Sequence, residues 1–192
     1  MELLTPSEGE LLVRIARSEI DYAVAKTPKP KIHLFPVLEE KRGVFVTLTT
    51  GGDLRGCIGL PYPVMPLGQA VGHAAVAAAL EDPRFPRVRK DELAGIRIEV
   101  TVLTVPEPLT GDPMDRPGKV VVGRHGLIAR GMGTSGLLLP QVATEYQWDA
   151  ETFLDHTCMK AGLQTRCWTQ PSVQILTFEG QIFAEHPPGT TV

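Results

Sequence analysis

A glycine-rich turn between two strand-like runs constrains the fold more than any other feature of this chain. The run GVFVTLTT (residues 43–50) alternates and is rich in β-branched residues, and LRGCIGL (54–60) follows it after only Gly51, Gly52 and Asp53. So short a connection joins the two runs as an antiparallel hairpin, because parallel neighbours need a crossover of about a dozen residues or more. The sequence therefore predicts antiparallel sheet in this region.

The rest of the sequence predicts further strands, a second hairpin and three helices. Alternation predicts a strand over residues 96–104, a second hairpin in KVVVGRHGLIAR (119–130) that turns at residues 123–126, and final strands over 173–178 and 181–185. Helices are predicted over residues 6–25, where Thr5 and Glu8 form a capping box, over 67–80, and over 150–161 after Asp149 as the N-cap. Because the strands come in hairpins and not in strand–helix–strand alternation, the predicted fold class is α+β: mainly antiparallel sheets with helices packed on one face.

Composition narrows the class of protein and of partner. The 192 residues are 43% hydrophobic, with a formal net charge of -3. This suits one domain, or two closely associated lobes, and disfavours a surface built to bind nucleic acid. No apolar run approaches the roughly 20 residues that cross a bilayer, and the first residues carry acids where a signal peptide carries bases. We therefore expect a cytoplasmic protein without a membrane partner.

The spacing of cysteines and histidines excludes some site chemistry. The three cysteines are too few and too scattered for a disulfide framework or a zinc ribbon, and the five histidines form no HxxxH pair. The sequence thus predicts no metal site and names no cofactor. Cys158, four residues after Leu154 in a predicted helix, has the position of a small buried core residue.

The segment GMGTSG (residues 131–136) matches the dinucleotide-binding pattern GxGxxG. That pattern requires a helix to follow it, whose N-terminus holds the pyrophosphate, and here the strand-like LLLP follows instead. A flexible loop is the favoured interpretation. A loop that offers backbone N–H groups over a site is the alternative.

Cys57 lies on the returning strand in a setting that suits a reactive thiol. Alternation puts Arg55, Cys57 and Gly59 on the face opposite the predicted core face, which carries Leu54, Gly56, Ile58 and Leu60. Arg55 and Cys57 are then about 7 Å apart, at about 3.3 Å per residue. A nearby cation increases the thiolate fraction, and glycines allow another backbone or a ligand to approach closely. A small cysteine under a covering helix, with Arg55 in an ordinary salt bridge, explains the pattern equally well.

Two other side chains have the chemistry to assist a thiol. His125, at the tip of the predicted second hairpin, has the properties of a general base, and Glu99, on the polar face of its strand, has those of a group that orients a base or binds substrate. Taken singly, each has a simpler explanation. Glu99 pairs with an arginine, and His125 is a solvated turn residue.

Several segments, in this order, resemble the AMMECR-type domain family over nearly the whole chain. They are LRGCIG (54–59), EDPRF (81–85), IEVTVLTVPEPL (98–109), GRHGLIARG (123–131) and SGLLLPQVATEYQWDAETFLDHTCMKAGL (135–163). The resemblance implies an α+β fold with two lobes of antiparallel sheet and helices, and a cleft between the lobes. It implies a single AMMECR-type domain over residues 1–192, with a larger and a smaller lobe.

The resemblance also bears on partners and on candidate residues. Some family members are fused to, or encoded beside, Memo-like and radical S-adenosylmethionine proteins, which are the implied pathway partners. The family motif maps onto residues 55–59, and Ser135 and Gln141 fall inside family-like segments. Thr134 stands where the family often has an arginine, which argues against an anion-binding role for that loop.

The leading hypothesis is a small-molecule enzyme or ligand-binding protein with Cys57 in the interlobe cleft. Cys57 is the predicted nucleophile, Arg55 stabilises it or holds an anionic substrate, His125 is the base and Glu99 supports it. The predicted ligand contacts are Gly56, Gly59, Ser135 and Gln141. The competing class is a non-catalytic adaptor, for which we expect a contiguous exposed apolar patch. A nucleic-acid-linked regulator is a third alternative, which the charge balance disfavours.

Overall fold

The computed structural model describes residues 3–31 and 35–185. Its helices are α1 (Pro6–Ala25), α2 (Leu67–Leu80), α3 (Arg116–Lys119), α4 (Pro140–Glu145) and α5 (Ala150–Lys160). Its strands are β1 (Val44–Thr50), β2 (Asp53–Leu60), β3 (Ile96–Leu103), β4 (Glu107–Pro108), β5 (Gly126–Gly131), β6 (Thr134–Leu138), β7 (Gln174–Phe178) and β8 (Gly180–Ala184). The strands form two four-stranded sheets, in the orders β2-β1-β3-β8 and β4-β7-β5-β6, so the predicted α+β class is confirmed.

The chain divides into two compact units. The first comprises Met1–Leu103 and Gln181–Val192, and the second comprises Thr104–Gly180. In sequence, the second unit is therefore inserted between β3 and β8 of the first sheet. The single domain predicted over residues 1–192 and the cleft between its lobes stay predictions.

Helices α1 and α2 cover one face of the first sheet. The alternate residues Val44, Val46 and Leu48 of β1 are buried in a hydrophobic core with matching residues of β3, α1 and α2. The helix predicted over 6–25 is confirmed, together with its capping box, since the Thr5 hydroxyl accepts from the Glu8 N–H and the Glu8 carboxylate accepts from the Thr5 N–H. Local signals were sufficient here because each of these elements buries a single, well-patterned face.

The second predicted hairpin is wrong in its position. Residues 116–119 form the short helix α3, and the strand begins only at Gly126. The hairpin consists of β5 and β6, and it turns at Met132 and Gly133, whose φ angles are 51° and 77°. Two central residues with positive φ are typical of the type I′ turn that matches strand twist. The segment GMGTSG is therefore a tight turn and not a flexible loop.

The last two strands form nearly as predicted, but they belong to different sheets. Only Glu179 separates β7 from β8, which is too short for a hairpin turn. The Glu179 carbonyl accepts from the Thr104 N–H in the second unit, whereas the Glu185 N–H donates to the Ile98 carbonyl in the first. The chain thus passes from one sheet into the other at Glu179 and Gly180.

Cys158 and Cys167 form a disulfide, which the sequence did not predict. Cys158 is buried in α5 as expected, and its Cα lies 5.9 Å from that of Cys167. The helix ends at Lys160, and Gly162, with φ of 74°, reverses the chain so that residues 167–169 return to the helix. Nine residues of separation gave no signal of this reversal, and such bonds are rare in a reducing compartment. The cytoplasmic localisation stays a prediction.

Removing this disulfide is expected to lower the free energy of unfolding by about 2.5 kcal/mol, because the unfolded chain regains the entropy of a closed loop of about ten residues. Urea unfolding of the wild-type protein with and without a reductant measures the difference. The doubly substituted Cys158→Ala, Cys167→Ala protein should give no response to the reductant. Coincident wild-type curves would contradict the prediction.

Among the residues described, none of the helices combines the length and the hydropathy that a bilayer crossing requires.

Candidate functional site

Cys57 lies in a row of polar side chains on the non-core face of the first sheet. Pairing of β1 with β2 puts Thr47 opposite Cys57, and pairing of β1 with β3 puts Glu99 on the other side of Thr47. All three residues are half-buried. The Thr47 hydroxyl donates to the Cys57 Sγ at 3.3 Å. The structure thus brings the predicted residues Cys57 and Glu99 into one row, with Thr47 between them.

The main chain of Cys57 is bonded at the outer edge of the sheet. Strand β2 ends the strand order, and such an edge presents unpaired N–H and C=O groups. The Cys57 N–H donates to Asp82 Oδ2 at 2.8 Å, and its carbonyl accepts from Arg84 Nη2 at 3.1 Å. Both partners belong to EDPRF, directly after α2. Two of the family-like segments are therefore in contact at Cys57.

Asp82 and Arg84 form a bidentate ion pair. Nε and Nη2 of Arg84 donate to Oδ1 and Oδ2 of Asp82 at 3.0 and 2.7 Å. Asp82 is only 5% exposed, whereas the Arg84 side chain is 54% exposed. The hydrogen bonds from Arg84 hold the pKa of Asp82 well below its usual range, against the opposing effect of burial, and the Cys57 N–H adds to the decrease. Asp82 is therefore a firmly ionised group.

Arg84 is the cation at the main chain of Cys57, whose carbonyl accepts from its Nη2. The pKa of Arg84 is raised, first by the hydrogen bonds to Asp82 and further by the charge and hydrogen bonding of Cys57. The guanidinium also lies 5.5 Å from the centre of the Phe85 ring. In the described part of the chain, its Nη1 makes no hydrogen bond, so that nitrogen remains available to a ligand.

Arg55 is engaged elsewhere. The β1–β2 register shifts between Leu48 and Thr49, which makes Arg55 the extra residue of a β-bulge. Its guanidinium bonds both carboxylate oxygens of Glu92, at 2.9 and 3.3 Å, and lowers the pKa of that carboxyl. This is the ordinary salt bridge that the sequence left open as the alternative to a role beside the thiol.

The space beside the glycines that flank Cys57 is occupied by other parts of the protein. A Cβ on Gly56 would lie 2.2 Å from the Ala78 carbonyl oxygen of α2, and one on Gly59 would lie 2.1 Å from the Phe45 ring. Both glycines therefore have a packing reason to lack a side chain. Their role as ligand contacts stays a prediction.

The other predicted residues belong to the second unit. His125 precedes β5 in a turn, and its Nδ1 accepts from the Val121 N–H at 3.1 Å, so its one lone pair is already engaged in the neutral ring. Its Nε2 lies 4.0 Å from Glu179 Oε1. Ser135 lies on β6, and Gln141 is exposed in α4. That these three residues act together with Cys57 stays a prediction.

The groups around Cys57 offer a nucleophile, a hydroxyl donor and a guanidinium. Within residues 3–31 and 35–185, no group of three or more His, Cys, Asp or Glu side chains could hold a metal ion. Of the three cysteines in the sequence, Cys57 alone is a free thiol. A thiol next to a fixed cation is an arrangement that suits attack on an electrophilic substrate with a carbonyl or anionic oxygen.

Comparison with known proteins shows the family of this chain and a solved structure of similar fold. A family model described as AMMECR1 matches residues 13–183. A protein from Methanosarcina mazei is 49% identical over 191 residues, covering 97% of this chain and 96% of its own, and one from Thermococcus gammatolerans is 49% identical over 187 residues, covering 94% and 91%. The crystal structure of an uncharacterized protein from Pyrococcus horikoshii superposes with a TM-score of 0.80 at 45% identity, covering 96% of this chain and 95% of its own.

Proposed function

This chain belongs to the AMMECR1 family, and from that premise we propose that it is a small-molecule enzyme or ligand-binding protein whose reacting group is the Cys57 thiol. One observation carries the proposal: the Cys57 Sγ accepts from the Thr47 hydroxyl, while Asp82 and Arg84 fix the main chain of Cys57 and bring a guanidinium to the same residue. A purely structural cysteine needs none of these contacts, because it behaves as a small apolar residue.

The proposed chemistry is nucleophilic attack by Sγ. The sulfur electron pair forms a bond to an electrophilic carbon of the substrate, the leaving group takes the pair of the bond that breaks, and the thiol proton passes to solvent or to a base. Arg84 places a positive charge at the attacking residue and offers its Nη1 to a substrate oxygen. His125 as the base requires that its Nδ1 first release the Val121 N–H. With Glu99 as its support, it remains part of the proposal, as do an interlobe cleft and contacts from Ser135 and Gln141.

The proposal predicts that the alkylation rate of Cys57 depends on Arg84 and not on Arg55. At neutral pH, Arg84→Gln is expected to slow the reaction with iodoacetamide about fivefold, which corresponds to about 1 kcal/mol, the order of one charge–charge interaction in a water-like environment. Arg55→Gln should leave the rate within a factor of about two, because that guanidinium is bound to Glu92. Mass spectrometry of the modified peptide gives the rate directly, since Cys57 is the free thiol.

Arg84→Lys is the matched control, because it keeps the positive charge and loses only the forked geometry. It should retain most of the wild-type rate. An inert Cys57 in the wild type, or equal rates in Arg84→Gln and Arg55→Gln, would refute the nucleophile and leave the adaptor class as the better explanation. Melting curves of each variant show whether the fold is intact.

A further inference from the structure

A cavity lies in the first unit, away from Cys57. It has a volume of about 460 Å³ and is bounded by α1, by residues 27–30 after that helix, and by the end of β8. Pockets for small organic ligands have volumes of about 300–1,000 Å³ and mostly apolar walls. Here Val13, Pro28, Pro30 and Ala184 provide apolar wall. Strand β8 and strand β2 are at opposite ends of the sheet, so this cavity and the Cys57 row are separate sites.

An ion pair between Arg17 and Glu185 forms part of the cavity wall. The Arg17 Nε and Nη2 donate to the two oxygens of Glu185 at 2.8 and 2.6 Å. Nη1 and Nη2 also donate to the carbonyls of Leu93 and Ile96, at 3.2 and 2.7 Å. Arg17 therefore joins α1 to the sheet and uses four of its five N–H donors within the protein.

Asp21 is the weakly paired acid of this wall, since its ion pair with Arg17 spans 3.9 Å. Its closest cation is Arg17 Nη1 at 3.9 Å, beyond hydrogen-bond distance, and within the described residues its carboxylate accepts no hydrogen bond. The side chain is only 29% exposed. Burial raises its pKa, Arg17 lowers it, and the nearby negative charge of Glu185 raises it further. A partly buried carboxylate without a donor is unfavourable until something supplies one.

The charges in the wall of this cavity favour a positively charged ligand. Three acids (Glu10, Asp21 and Glu185) face two arginines (Arg14 and Arg17) across the cavity. Because Arg17 and Glu185 neutralise each other, the carboxylate of Asp21 keeps a negative charge in the cavity wall that is not fully compensated. A neighbouring cavity of about 580 Å³ also has Asp21 in its wall, together with the cations Lys90 and Arg97, so the excess of acid is confined to the cavity beside the prolines.

We infer that this cavity binds a small organic amine, with its ammonium group at Asp21 and its apolar body against the proline and valine wall. The ammonium supplies the donors and the charge that Asp21 lacks. The site is independent of the chemistry proposed at Cys57, and neither requires the other.

The test compares three probes of one shape and different charge: 2-phenylethylamine, 2-phenylethanol and 3-phenylpropanoate. Each is titrated into the wild-type protein at pH 8 and followed by NMR shifts of residues in α1. We expect the amine to bind at least about tenfold more tightly than the alcohol, a difference of about 1.4 kcal/mol, and the acid to bind least. Asp21→Asn should remove the preference for the amine.

Glu19→Gln is the matched control, because Glu19 lies on the same helix but not in the wall of this cavity, and it should keep the preference. Cys57→Ser should keep it as well, which separates this inference from the proposed function. The inference is overturned if the amine does not bind, if the alcohol binds equally well, or if Asp21→Asn retains the preference while its melting curve matches the wild type.

Discussion

Replacing Gly56 by alanine is expected to lower the free energy of unfolding by about 3 kcal/mol, the upper part of the usual range for overpacking. A Cβ at this position would lie 2.2 Å from the Ala78 carbonyl oxygen. That oxygen is backbone of α2, so it cannot rotate away as a side chain would, and the helix must move off the sheet. Urea unfolding at equilibrium measures the loss.

Gly95→Ala is the matched control in the same unit. Its new Cβ would meet only a Thr50 methyl group, at 3.8 Å, an ordinary contact, so the urea midpoint should hardly change. Gly136→Ala should behave like Gly56→Ala, since its Cβ would lie 2.2 Å from the Ala161 nitrogen at the end of α5. If Gly56→Ala and Gly95→Ala unfold at the same urea concentration, the close approach of α2 does not matter to stability.

The close approach at Gly56 also matters to the candidate site. Because α2 lies directly on β2, the residues that follow the helix emerge at the outer edge of that strand. Asp82 and Arg84 are those residues, and they bond the N–H and the carbonyl of Cys57. The glycine next to the cysteine is thus part of what brings the guanidinium to the thiol. We expect Gly56→Ala to change Cys57 alkylation along with stability.

The elements that could be predicted from sequence were those with signals inside a short segment. The helix at Pro6–Ala25 has a capping box and one apolar face, and the first hairpin has a glycine turn between alternating runs. The elements that were missed depend on partners far away in sequence. Nothing local distinguishes two strands of a hairpin from β7 and β8, which join different sheets.

The candidate site likewise combines features that the local sequence predicts with features that depend on partners far away in sequence. Alternation predicted that Cys57 faces away from the core, and Glu99 proved to be in the same row. The bulge at Arg55 was not visible in the sequence, because an extra residue in one strand is defined only by its partner. The position of Thr47 beside Cys57 could be found only from the strand register. Asp82 and Arg84 required the packing of α2 on β2, although EDPRF, with an acid and an arginine directly after a helix, was a signal that could have been followed.

Replacing Asp82 by alanine is expected to lower the free energy of unfolding at pH 7 by about 3 kcal/mol, the lower end of the range for a broken buried ion pair, since Arg84 is half exposed and can turn to water. The change also leaves the Cys57 N–H at the sheet edge without its acceptor. Urea unfolding measures the effect on stability. The alkylation rate of Cys57 should fall as well, because the guanidinium is no longer fixed beside the thiol.

The dependence on pH distinguishes this ion pair from a simple packing defect. The pKa of Asp82 is lower in the folded than in the unfolded protein, so its contribution is fully present above the ordinary carboxyl range, near pH 4, and decreases as the pH falls below it. The difference between wild type and Asp82→Asn should therefore be largest at pH 7 and should narrow toward pH 3. A difference that stays constant over this range would contradict the ionic explanation.

Asp91 provides the matched control for this experiment. It pairs with Arg89, also two residues away, and hydrogen bonds from Arg89 likewise lower its pKa, but its side chain is 70% exposed. Water and salt screen such a surface pair, so Asp91→Asn should leave both the urea midpoint and its pH dependence unchanged. The contrast isolates burial as the cause. If the two substitutions have equal effects, the Asp82–Arg84 pair does not hold the edge of β2, and the cation beside Cys57 loses its support.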